Sequence, residues 1–177
     1  MIIIVEGIDR IGKTTLCNAL SEKLNFPIYK EDKAWERTQE GNRRSQMSLL
    51  NLCRVTNCNV IFDRLFVSEY VYGIIDRKND EAKSRDIFWE SLAECLKIKN
   101  VVYIGMNPTS IEKSSSEHGV DLLKHVQCFS EANKIVRKHL EEKHCGFYIE
   151  GKYADISEIV KEVIKYAKCA DTINNEV

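Results

Sequence analysis

Two patterns of apolar residues alternate along the chain. Short runs rich in β-branched or aromatic residues, at 2–5, 27–29, 59–63, 100–105 and 146–150, are bounded by polar or turn residues and predict strands. The unbroken runs suit strands covered on both faces. Between them lie segments with apolar residues at helical spacing. Residues 14–24 place Leu16, Ala19, Leu20 and Leu24 on one side, and 45–55 carry Met47, Leu49, Leu50 and Leu52. Residues 69–75, 82–98 and 155–168 also read as helices. A long amphipathic helix over 119–143 puts Leu122, Leu123, Val126, Phe129, Ile135, Val136 and Leu140 on its apolar side. Residues 30–44 are too polar for either pattern and read as a loop or a loosely helical segment.

Strands alternating with helices imply right-handed crossovers and a parallel sheet covered on both faces. The expected fold class is therefore α/β, three layers with five parallel strands, in one domain spanning 1–177. Ligands in such sheets bind beyond the carboxyl ends of the strands. Gly7 and Asp63 both fall at such ends.

Gly7, Gly12, Lys13 and Thr14 match G-x-x-x-x-G-K-[ST], and the match lies between the first strand and the first helix. At average residue frequencies a chance match is expected in roughly one chain of this length in a hundred. The plain alternative is a turn whose glycines only relieve backbone strain, which leaves Lys13 and Thr14 unexplained. A Gly-rich loop can turn its N–H groups inward as an anion nest, and the following helix adds its own unpaired N–H groups and positive dipole end. Phosphates suit this arrangement. Lys13 would reach the terminal phosphates, and the Thr14 hydroxyl would complete the coordination of a magnesium ion. Asp63, closing an apolar strand, is a second candidate for that ion, against the alternative of a helix cap.

Composition narrows the partners. Lys and Arg number 26 against 27 Asp and Glu, so no global basic field marks the chain as a nonspecific nucleic-acid binder. A small anionic ligand fits better. Seven cysteines, without a CxxC pair, suggest small core residues of a reducing cytosol rather than a disulfide framework or a zinc knuckle. The four histidines show no metal spacing with them and read as solvated helix-face residues. No run reaches the length of a membrane span.

The stretch Glu6-Gly7-Ile8-Asp9-Arg10-Ile11-Gly12-Lys13-Thr14-Thr15 closely resembles the thymidylate kinase form of the P-loop, E-G-x-D-R-x-G-K-[ST]-T. Asp63-Arg64 is similar to that family's D-R-[YFH], with Leu65 standing where the family has an aromatic. Ser68-Glu69-Tyr70-Val71-Tyr72-Gly73, with Arg77 one turn on, resembles the S-E-x-V-Y-G segment of short thymidylate-kinase-like proteins, many of them phage-encoded. Asn42-Arg43 stands where thymidylate kinases carry an Asn-Arg that faces the acceptor nucleotide. The family's F-P-x-R after the second strand is absent.

The resemblance implies the P-loop NTPase fold and an ATP- and magnesium-dependent deoxynucleoside monophosphate kinase acting on dTMP or a close pyrimidine analogue. It implies that Gly7, Asp9, Arg10, Ile11, Gly12, Lys13, Thr14 and Thr15 bind ATP, and that Thr14 and Asp63 hold magnesium. Lys13 and Arg10 would stabilise the transferring charge and Arg64 would grip the acceptor phosphate. Arg43, Glu69, Arg77 and Asp9 would complete the acceptor side. Small-molecule nucleotides are thus the expected partners, with a second copy of the chain as a candidate and with neither nucleic acid nor membrane. The expected location is the cytoplasm.

Arg10 acquires a reason from the same resemblance. Phosphoryl transfer spreads negative charge over the moving group, and related kinases aim an extra arginine at it from the P-loop or from a mobile lid. The lid candidate, 107–119, contains no arginine. Two rivals stay open. A deoxynucleoside kinase would need a general base for an uncharged 5′-hydroxyl, a role open to Glu31. A non-catalytic regulator would use ATP only as a ligand.

Overall fold

The computed structural model describes residues 1–30, 38–108, 122–152 and 155–175. In chain order the elements are β1 (Ile2–Glu6), α1 (Lys13–Leu24), β2 (Ile28–Lys30), α2 (Gln39–Thr56), β3 (Val60–Asp63), α3 (Phe66–Ile75), α4 (Glu81–Cys95), β4 (Val101–Met106), α5 (Leu122–Lys143), β5 (Gly146–Gly151) and α6 (Ile156–Asn175). The five strands form one parallel sheet in the order β2-β3-β1-β4-β5. This is the α/β architecture the alternating patterns predict.

β1 owes its central place to composition. Ile2, Ile3, Ile4 and Val5 are all buried, which requires apolar cover on both faces and a strand partner on each edge. Helices α1 and α6 pack together on one side of the sheet, and α2, α3, α4 and α5 form the other layer. Truncating a core side chain such as Leu16 to alanine removes apolar contact that the close-packed interior cannot refill, at a cost of roughly 2–5 kcal/mol.

The sheet order positions the site. The chain leaves β1 through α1, reaches β2 at the edge and returns to β3, and β4 then pairs on the opposite side of β1. Such a reversal opens a crevice at the carboxyl ends of the strands beside the reversal point. Register places Val5 of β1 opposite Asp63 of β3 and Glu6 opposite Gly105 of β4. The segments 7–12 and 64–65 therefore leave the sheet side by side.

Several elements depart from the sequence pattern. α2 begins at Gln39 rather than near 45, because the Thr38 hydroxyl caps it by accepting from the Gly41 N–H at 3.1 Å. Its inward face there is polar, with Asn42 and Gln46 buried, so apolar periodicity gives no sign of it. α4 stops at Cys95, ahead of the expected 98, and α3 starts at Phe66, ahead of 69. On α5, Leu123 is exposed whereas His125 and Asn133 are buried. The reading of solvated histidines is corrected: His125 is buried against Asp76, His139 is half-buried against Trp89, and only His144 is exposed among the described residues.

Candidate active site

Between β1 and α1 the backbone must turn sharply while leaving its N–H groups accessible. Gly7 has φ 144°, and a Cβ there would lie 2.5 Å from the Met106 carbonyl oxygen. Gly12, with φ 89°, caps α1 in the left-handed conformation, so the helix opens without a side-chain cap and its first N–H groups face the loop. Ile11 points into the core and anchors the loop from beneath.

A cavity of about 430 Å³ opens over this turn, lined by Asp9, Arg10, Gly12, Lys13, Thr14, Thr15, Lys30, Asp63 and Arg64. Among the described residues four cationic side chains face two carboxylates there, and the start of α1 adds its positive end. Such a lining favours a polyanion.

Lys13 is buried and its Nζ donates to the Ile8 carbonyl oxygen. Burial lowers its pKa to about 8, with the Arg64 charge adding to the effect and Asp9, Asp63 and Glu6 opposing it. The Thr14 hydroxyl donates to Asp63 Oδ2 at 3.1 Å, and Lys30 Nζ lies 3.7 Å from the same oxygen. These hard oxygens, one hydroxyl and one carboxylate at the end of a cavity lined by cations, are of the kind a magnesium ion takes. Among the described residues no group of three His, Cys, Asp or Glu side chains forms a metal cage.

Glu6, the first residue of the motif, faces away from the cavity. Its buried carboxylate accepts from the backbone N–H groups of Leu65, Val67 and Ser68 at 2.9–3.1 Å and from the Ser68 hydroxyl. Burial raises its pKa above the usual carboxylate range, against the pull of those donors and of Arg64. The carboxylate thus caps α3 and ties the 64–65 segment to the P-loop.

Arg64 and Arg10 share an uncommon backbone, φ 77° and 63°. Left-handed geometry without glycine or asparagine costs of order 1–2 kcal/mol, a strain that clusters at functional sites. The Arg64 guanidinium pairs with Asp9 and lies 4.7 Å from the centroid of the Tyr72 ring, while the Tyr72 hydroxyl donates to Asp9 Oδ2 at 3.3 Å. Burial, opposed by Arg64, pushes the Tyr72 hydroxyl up to about 12, so it stays protonated and able to donate.

The other residues expected on an acceptor side separate into two groups. Glu69 accepts from Asn42 at 2.9 Å and pairs with Arg77 at 2.6 Å, forming one cluster between α2 and α3. Arg43 turns the other way, to Glu90 on α4 at 2.6 Å and Glu40 at 3.1 Å. Asn42, not Arg43, is the inward member of the Asn-Arg pair. Sequence reasoning passed over Lys30 and gave Tyr72 no role, although Lys30 closes a strand at the carboxyl edge and Tyr72 lies within the quoted S-E-x-V-Y-G segment. Glu31 and most of the lid candidate 107–119 lie outside the described residues.

No protein-family model matches the chain, and no curated protein matches it significantly. Solved structures do. YorR from Bacillus subtilis, in complex with phosphorylated GDP, is similar with a TM-score of 0.60 and 23% identity over 97% of this chain and 98% of its own. Thymidylate kinase from Candida albicans gives 0.58 and 18% over 96% and 92%, and that from Ehrlichia chaffeensis 0.51 and 18% over 95% and 98%. The chain therefore shares the fold of these structures, two thymidylate kinases among them.

Proposed function

We propose that the protein is an ATP- and magnesium-dependent deoxynucleoside monophosphate kinase that acts on dTMP or a close pyrimidine monophosphate. One observation carries the reading: Arg10, Lys13, Lys30 and Arg64 line a single cavity with the Thr14–Asp63 oxygen pair. An acceptor that brings its own phosphate needs cations to hold it, whereas a nucleoside would need a base to take its hydroxyl proton.

In this reading the N–H groups of the P-loop and the start of α1 hold the ATP phosphates, and Lys13 reaches the terminal ones. Thr14 and Asp63 would hold magnesium, which supplies charge neutralisation on the phosphates. Arg64, fixed by Asp9 and Tyr72, holds the acceptor phosphate. Arg10 supports the charge on the transferring group, and the oxygen of the acceptor phosphate attacks the γ-phosphorus with ADP leaving. The Glu69–Arg77–Asn42 cluster offers polar groups for the acceptor's sugar or base.

The test is ADP release from ATP and magnesium with a panel of deoxynucleosides and their monophosphates. Guanine acceptors belong in it because the similar YorR structure holds phosphorylated GDP. Turnover with a monophosphate, fastest with dTMP, is expected. Turnover only with nucleosides would favour the nucleoside kinase, and none with any acceptor would favour a nucleotide-binding regulator.

A further inference from the structure

His125 stands on α5, on the first turn described after residues 109–121, and is nearly fully buried. Its Nε2 lies 3.0 Å from Asp76 Oδ1, at the C-cap of α3. Its ring packs on Tyr72 with centroids 5.2 Å apart, and Phe129, one turn along α5, meets the same tyrosine edge-on at 5.7 Å. Tyr72 in turn carries the Arg64 guanidinium on its face and donates to Asp9.

A buried imidazole is costly unless its nitrogens find partners, and a leucine would fill the same space more cheaply. The Asp76 carboxylate lies at ion-pair distance from Nε2, which holds that edge of the ring at the end of α3. The ring so held forms one wall against Tyr72, and Phe129 forms another. Tyr72 then has little freedom to swing, and its face remains where Arg64 needs it.

We propose that His125 is a positioning residue for Arg64, acting through Tyr72: the imidazole, held by Asp76, fixes the aromatic platform on which the guanidinium lies. The inference deepens the reading of Arg64 as the acceptor-phosphate cation, and it ties the start of α5 to that cation.

The test follows the reactivity of Arg64 itself. Phenylglyoxal modifies arginine guanidinium groups, and peptide mass spectrometry gives a rate for each site in the whole protein. In His125→Ala, modification of Arg64 should accelerate about threefold to fivefold, the range commanded by a cation–π contact near the surface. Arg10, which lines the same cavity but does not rest on Tyr72, should keep its rate. In a Tyr72→Ala background the His125→Ala change should have no further effect on Arg64, since the route is already cut. Should His125→Ala not fold, Asp76→Ala, which removes the carboxylate contact of the imidazole without emptying the core, must show the same selective rise.

Equal acceleration of Arg10 and Arg64 would mean general loosening and would overturn the proposal. So would an unchanged Arg64 rate, or a His125 effect that persists without Tyr72. Kinetics separate this inference from the functional reading. If both hold, the acceptor KM rises in His125→Ala while the ATP KM does not. If the wild-type protein transfers no phosphate but Arg64 still responds to His125, the kinase reading fails and the positioning role stands.

Discussion

Two cavities of the same volume, about 430 Å³, open at opposite ends of the sheet. The one at the carboxyl ends is lined by the P-loop, Lys30, Asp63 and Arg64. The one at the amino ends is lined by Met1, Phe26, Cys53, Asn57, Asn59 and Asn100 among others, with Lys99 the one charged side chain among the described residues that line it. Size is therefore no guide to function here. What differs is the direction of the polar groups and the state of the buried titratable ones. At the carboxyl end a helix opens toward the space and burial brings Lys13 down to about 8, close to the working range of pH. At the amino end burial, with Cys58 adding to it, pushes the Cys53 thiol up to about 12, where it is inert.

The two ends also differ in how they use left-handed backbone. Asn57 and Asn100 line the amino-end cavity with φ 50° and 60°, conformations that asparagine tolerates well. At the carboxyl end Arg10 and Arg64 occupy such geometry. Lys78 and His144 hold the same geometry in connecting segments, so it is the combination of strained backbone with a place in the cavity wall that singles out Arg10 and Arg64.

The largest effect expected comes from Lys13→Met, which should lower turnover by about a thousandfold, the upper range for removing a preorganised charge-stabilising donor. Near-normal turnover in a folded Lys13→Met protein would erase the distinction between the two ends.

Arg10→Gly comes next. It should reduce kcat by about a hundredfold with little change in the ATP KM, because the cation is needed where charge develops in the transition state. Glycine accepts φ 63° freely, so stability should stay within about 1 kcal/mol of wild type. If kcat holds and only the ATP KM rises, Arg10 is a uniform binding residue.

A smaller effect should appear with pH. The kcat/KM for ATP reports the free enzyme, in which Lys13 must be protonated to attract phosphate. Its pKa near 8 predicts a fall of about tenfold per pH unit above that value, a limb that Lys13→Met should lack. Stability moves the other way. The folded pKa lies below the ordinary 10.5, so the unfolded chain binds more protons between about 8 and 10.5, and this residue's contribution makes the fold more stable as pH rises through that window. Urea midpoints of wild type and Lys13→Met across the window would show it.

How much of this was legible from sequence depends on which physical signal each residue carries. β1, β3 and β4 announce themselves because burial on both faces demands continuous apolar runs, and the P-loop because its glycines and lysine have fixed spacing. The first turns of α2 gave no apolar signal, since Asn42 and Gln46 are buried by polar partners such as Glu69 and Ser91. The partner of Asn42 lies 27 positions away and that of His125 49 positions away, distances over which periodicity carries no information. Nor can adjacency say which of Asn42 and Arg43 faces inward, because neighbours on a helix point about 100° apart.

The smallest effect tests the amino end by itself. Asn57 is the left-handed C-cap of α2, φ 50° and ψ 34°, and leads into the turn before β3. Replacing it with alanine forces an L-residue without a local hydrogen-bonding side chain into that geometry, which should cost about 1 kcal/mol. Glycine adopts the conformation without strain, so Asn57→Gly should unfold within a few tenths of a kcal/mol of wild type. Neither variant should alter the kinetic constants, because the turn meets β3 at its amino end, the far end from Asp63. The informative outcome is the cross with Arg10→Gly. Glycine at 10 should keep stability within about 1 kcal/mol and lower kcat about a hundredfold, whereas glycine at 57 should leave both untouched and only alanine there should lower stability. A clear loss of kcat in Asn57→Ala, at temperatures where the protein remains folded, would show that the amino end is coupled to the chemistry and that the two cavities cannot be treated as independent.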